Sequence, residues 1–248
     1  LNPRPPTTEP VFLTAEWRNL VLLNYVVDPA VLRPLAPAGT ELDFWQDRAY
    51  VSVVGFQFLQ TKVKGLAIPF HRHFEEVNLR FYVRRPGPEG WRRGVVFIRE
   101  LVPRLAIAWT ARNVYHENYA AVPMSHQIER TAGSAGQIRA AAYGWRWQGA
   151  DHRIKVTVQG DPQAMEPGTE AEFIAEHYWG YAAQRDGSTK EYRVEHPRWR
   201  IWPAITASLT GDTTGCYGKT FAGYLQEPPD SAFLADGSAV SVHQGVRI

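Results

Sequence analysis

Residues Phe74 to Val83 alternate strictly, with Glu76, Asn78, Arg80 and Tyr82 on one side of an extended chain and Val77, Leu79, Phe81 and Val83 on the other. A helix would mix the two sets around its circumference, so the pattern commits the segment to a strand with one apolar face for a core. The opposite row carries an acid, an amide, a guanidinium and a phenol. It suits two roles, the solvated side of a half-buried strand or one wall of a small-molecule pocket.

Downstream, Pro86-Gly87-Pro88-Glu89-Gly90 separates Phe74–Arg85 from Arg93–Val102, the grammar of an antiparallel pair joined by a longer loop. The second strand divides into Val95, Phe97, Arg99, Leu101 and Val96, Ile98, Glu100, Val102, so each largely apolar face carries one charge. Cross-strand neighbours share a face, so either Arg99 or Glu100 joins the Glu76, Asn78, Arg80 row, depending on register. A charge among Val and Phe needs a partner, and both internal salt bridging and a charged ligand would supply one.

The rest of the chain repeats this strand-rich pattern. Leu1–Pro10 is rich in Pro and Thr and is expected as a loose arm before a single domain over residues 11–248. Trp17–Val27 reads as a strand, and Asp28-Pro29 as the start of a short helix: Asp caps the free N–H groups and Pro sits where its missing donor is harmless. Glu41–Trp45 and Arg48–Gln60 flank Gln46-Asp47 like the arms of a hairpin. Leu105, Ala108, Ala111, Arg112 and Tyr115 recur at helical spacing. Further strands are expected at Ile138–Trp147, Arg153–Gln159, Phe173–Gln184, Lys190–Glu195 and Ala239–Ile248, with irregular backbone at His196–Pro203.

A net charge of +2, with no run of Lys or Arg, leaves no electrostatic footprint for nucleic acid. The single cysteine, Cys216, excludes an internal disulfide, and it is expected as a small buried filler. Neither a charged-then-apolar leader nor an apolar stretch of about 18 residues occurs, so the expectation is a cytoplasmic protein with no membrane partner. Nucleophile-elbow, phosphate-loop and dinucleotide signatures are absent too, and no cofactor is expected. A small-molecule ligand is the expected partner. Edge strands leave room for a homo-oligomer without requiring one.

Several blocks together resemble the YqjF-like proteins of uncharacterised function: Phe74–Val83, Gly94–Phe97, Ala111-Arg112 leading into Tyr115–Tyr119, and Glu195–Trp199. That family is similar to a distant branch of the acetoacetate decarboxylase superfamily. The resemblance implies a mostly β (α+β) fold, an antiparallel β-barrel or cone with a central cavity and a few flanking helices. It also implies a place for a Schiff-base lysine, which in acetoacetate decarboxylase stands in a tandem Lys-Lys. Here the matching block holds His116, Glu117 and Asn118, and Lys62, Lys64, Lys155, Lys190 and Lys219 lie elsewhere.

The remaining chemistry is acid–base. Glu76, His116 and Glu117 are the candidate catalytic groups, and Asn78, Arg80, Arg99, Glu100, Arg112, Tyr115 and Tyr119 the candidate substrate contacts. Such a set also fits a non-catalytic ligand-binding protein, or a satisfied polar network. His71 and His73 offer a further alternative, a metal site that begins like the cupin motif but lacks its correctly spaced Glu.

Overall fold

A computed structural model describes residues 9–69, 71–103, 119–131 and 137–248. The helix expected over residues 104–115, with Arg112, Tyr115, His116 and Glu117, lies outside the described residues.

The chain opens on a long strand, β1 (Val11–Val27), and turns at Asp28, whose carboxylate accepts from the Ala30 N–H while Pro29 occupies the first helical position. The helix ends within a turn, as Pro37 and Gly39 require. β2 (Glu41–Leu42) follows, and β3 (Ala49–Val63) after it. These two do not form the expected hairpin: only Trp45 and Arg48 bridge, and β2 pairs instead with Arg84 and Val83. β4 (Leu66–Ala67) folds back on β3. β5 (Phe74–Gly87) and β6 (Gly90–Val102) form the expected antiparallel pair, joined by a tighter connection than the Pro and Gly content suggests.

Next come β7 (Tyr119–Ala121), β8 (Met124–Arg130), β9 (Ile138–Trp147), β10 (Ala150–Thr157) and β11 (Gln163–Ala164). The expected strand over Phe173–Gln184 is two elements: a helix, Glu170–Ala175, and β12 (Trp179–Ala183). Thr169 caps the helix, its Oγ1 accepting from the Glu172 N–H while Glu172 Oε2 accepts from the Gly168 N–H. β13 (Thr189–Glu195), β14 (Arg200–Pro203) and β15 (Thr206–Thr210) precede two short helices, Thr213–Tyr217 and Lys219–Gln226. β16 (Ser231–His243) starts eight residues before the expected last strand, and β17 (Val246–Arg247) ends the chain. Part of the segment expected as irregular, Arg200–Pro203, is thus strand.

The large sheet runs β11-β14-β16-β1-β3-β5-β6-β12-β13-β17, and β13 also pairs with β16, so it curls back toward its own beginning. It is mixed: β6 meets β7 and β12 in parallel, and the other pairs are antiparallel. Gly94 and Gly180 stand in the β6–β12 joint, and a Cβ on Gly94 would lie 2.6 Å from the Trp179 carbonyl oxygen. A second sheet, β15-β10-β9-β8, covers one face. There Val77, Leu79, Phe81 and Val83 pack with Tyr143, Ile154 and Val156, so the apolar row of β5 has the role its alternation assigns. Inside the curl lies a separate cluster, including Leu22, Phe56, Phe58, Phe74, Tyr82, Phe173 and Trp199. This is a mostly β structure with few helices. No described helix is long and apolar enough to cross a membrane.

Candidate functional site

The polar row of β5 is not the wet side of the sheet. Its Glu76, Asn78 and Arg80 line a cavity of about 250 Å3 inside the curl, where Glu76 and Asn78 are 3% and 2% exposed. Asn78 donates through Nδ2 to Glu76 Oε1 at 2.9 Å, and Tyr119 OH donates to Glu76 Oε2 at 3.4 Å. Arg80 donates from Nη2 to the Ile174 carbonyl at 3.3 Å, and its Nε is buried with no hydrogen-bond partner among the described residues.

The register of β6 settles which charge joins this row. Asn78 stands opposite Glu100 and Leu79 opposite Arg99, and then a bulge at Ile98 places Arg80 opposite Phe97. Glu100, 1% exposed, therefore lines the cavity with Val95 and Phe97. Arg99 is corrected: it points to the other face, its guanidinium 4.6 Å from the centre of the Trp147 ring. Of the expected site residues, the candidate catalytic Glu76 and the candidate contacts Asn78, Arg80, Glu100 and Tyr119 are brought together.

His177, which carries no local motif to mark it, is not among the expected site residues. It lines the cavity, with its ring 4.7 Å from that of Tyr82 and 5.3 Å from that of Phe173. Burial pushes its pKa down to about 4, against the opposing pull of Asp43, so the ring is neutral near pH 7. The Asp43 carboxylate lies 3.3 Å from Nε2 and accepts from Arg93 Nε at 2.6 Å. Although burial works to raise the Asp43 pKa, the hydrogen bonds from His177 and Arg93 hold it below the ordinary carboxylate value. A neutral imidazole facing an ionised carboxylate carries its proton on Nε2 and keeps its lone pair on Nδ1. That Nδ1 is buried and has no partner among the described residues. Asp43 and His177 are 134 positions apart, so no local motif could have joined them.

Three further histidines lie in or near this region. His196 lines the cavity and stacks on Trp199 at 4.2 Å. His71 lines the cavity with Nδ1 2.7 Å from the Pro69 carbonyl, whereas exposed His73 accepts from the Gln60 N–H. No group of three or more His, Cys, Asp or Glu side chains is placed to hold a metal among the described residues, so the His71–His73 pair gains no third ligand. All five lysines of the chain are described, and none lines the cavity.

Cys216 is fully buried in the helix Thr213–Tyr217, behind the second sheet, and burial pushes its thiol pKa up. Alkylation by iodoacetamide is therefore expected to be slow in native protein and rapid after unfolding in urea, as read by mass spectrometry.

The model of the DUF2071 family, described as an uncharacterized conserved protein, matches residues 14–239. The chain belongs to that family. Within a 104-residue stretch this DUF2071 protein is 33% identical to the uncharacterized protein YqjF of Bacillus subtilis (strain 168), over 42% of this chain and 41% of that protein's length. The resemblance to YqjF-like proteins thus stands. Among solved structures, the enduracididine biosynthesis enzyme MppR complexed with pyruvate superposes with a TM-score of 0.69 at 17% identity, covering 97% of the DUF2071 chain and 91% of MppR. Acetoacetate decarboxylase from Legionella pneumophila superposes with a TM-score of 0.63 at 13% identity, covering 99% and 91% of the two chains. At such identities the likeness is one of fold.

Proposed function

We propose that the cavity binds a small carboxylated or keto metabolite and performs acid–base chemistry on it without a Schiff-base lysine. The observation that carries this reading is the wall of β5 and β6, where Glu76, Asn78, Arg80 and Glu100 face one enclosed space. Arg80 brings the one guanidinium among the described lining residues, with an Nε–H still to be satisfied. It is the natural anchor for a ligand carboxylate, because charge-assisted bonds to a guanidinium are strong and directional. Glu76, steadied by Asn78 and Tyr119, is the group that gives and takes the proton, with Glu100 beside it. The lysines lie outside the cavity lining, which supports chemistry other than Schiff-base formation. MppR, similar in fold, has been solved with pyruvate. His116 and Glu117 keep their candidate catalytic roles, and Arg112 and Tyr115 their candidate ligand contacts.

The test is binding of small keto acids by thermal shift and calorimetry. A saturating acid should raise the melting temperature, and Arg80→Met should weaken its binding by about 2 kcal/mol or more, roughly thirtyfold. Glu76→Gln should keep affinity and lose turnover. Binding that survives Arg80→Met unchanged would remove the anchor from the reading. Affinity lost in Glu76→Gln, without turnover in the parent protein, would make this a ligand-binding protein.

A further inference from the structure

The cavity has two chemically distinct ends. Along β5 the lining side chains run Phe74, Glu76, Asn78, Arg80, and at about 3.3 Å per residue the first and last Cα atoms stand roughly 20 Å apart. At the Phe74 end the wall is aromatic. Phe58 stacks on Phe74 at 4.6 Å and 12°, Phe56 lies 5.2 Å from Phe58, and Trp17 closes edge-on against both Phe56 and Phe58. Trp199 extends the cluster, 6.4 Å from Trp17. All five line the same cavity as Arg80.

A three-carbon acid anchored at Arg80 would leave the aromatic end untouched. Water gains little from a wall of ring faces and edges, which offers it no strong hydrogen-bond partner. A flat apolar group fills such a space by offset or edge-to-face packing against the rings. Resting on the binding role assigned to Arg80 above, we infer that the ligand is a carboxylic acid bearing a planar, ring-containing tail. Its carboxylate is held at Arg80 and its ring lies among Trp17, Phe56, Phe58, Phe74 and Trp199.

The experiment is calorimetric titration of the full chain with pyruvate and with 6-phenyl-2-oxohexanoate, which share one head group and differ by a ring on a four-methylene arm long enough to reach toward the Phe74 end, on the parent protein and on Arg80→Met, Phe74→Leu and Phe58→Leu. The ring-bearing acid should bind about tenfold tighter than pyruvate or better, since burying a ring adds apolar area without touching the anchor. Each Phe→Leu change should weaken the ring-bearing acid severalfold and leave pyruvate unchanged, while Arg80→Met weakens both. The leucine variants keep an apolar side chain at each site, and Phe56→Leu supplies a third if either fails to fold. Equal affinity for the two acids, or equal losses for both in the Phe→Leu variants, overturns the inference while leaving the Arg80 anchor intact. No binding of either acid overturns both. Binding of the ring-bearing acid that survives Arg80→Met would show the ring held without the anchor, and would overturn the proposed orientation.

Discussion

Replacing Gly237 with alanine should destabilise the fold by about 3 kcal/mol or more, seen as a large fall in the urea midpoint. Gly237 sits inside β16 at a φ of 78°, where L side chains are strained, and a Cβ there would come within 2.0 Å of the Trp17 carbonyl oxygen. The contact is with backbone, which cannot swing aside as a side-chain tip can. It occurs where β1 itself departs from regular pairing: the register with β3 shifts between Arg18 and Val21, and Asn19 has a φ of 55°. Gly223 is the matched control. It lies in the helix Lys219–Gln226, where an added Cβ would meet nothing within 4 Å, so Gly223→Ala should be neutral or stabilise by up to about 1 kcal/mol. Equal midpoints for the two variants would show that the β1–β16 approach is loose enough to absorb a methyl group.

A second large effect is expected with pH. His177 titrates near 6.5 in an unfolded chain but is depressed to about 4 in the fold, chiefly by burial, with the charges of Arg93 and Arg80 acting the same way and Asp43 opposing. Between those values the unfolded chain binds a proton that the folded one excludes. The stability of the fold is therefore complete above about pH 6.5 and falls as the pH drops toward 4, by roughly 3 kcal/mol. Asp43, held below its ordinary value of 3.8, brings a further loss only below that pH. Urea midpoints measured from pH 8 to pH 4 should be flat and then decline. His177→Phe, whose ring still fits between Tyr82 and Phe173, should flatten the decline. An unchanged slope in that variant would assign the acid sensitivity to other groups.

How far the sequence carries is clear from particular residues. Strict alternation in β5 is a local signal, and it placed both faces of that strand. The Asp28-Pro29 helix start is local too. The helix at Glu170–Ala175 left a legible trace, Thr169 followed three residues later by Glu172, a capping box obscured by the aromatic run that follows. The partner of β2 was out of reach, because Gln46-Asp47 does make a tight turn while strand pairing beyond it depends on distant residues. The meeting of Asp43 with His177 depends wholly on the curl of the sheet. Trp199, from the far side of β13, likewise reaches Trp17 only through pairing between distant segments.

The bulge at Ile98 has a consequence for the sign of the electric field in the cavity. Had β6 continued in regular alternation from Phe97, Arg99 would face inward and Glu100 outward. A wall with two carboxyl groups and one guanidinium would then hold two guanidiniums and one carboxyl group. The charge balance of this wall thus hangs on a single extra residue of backbone, which sets a carboxyl group rather than a second guanidinium beside the Arg80 anchor.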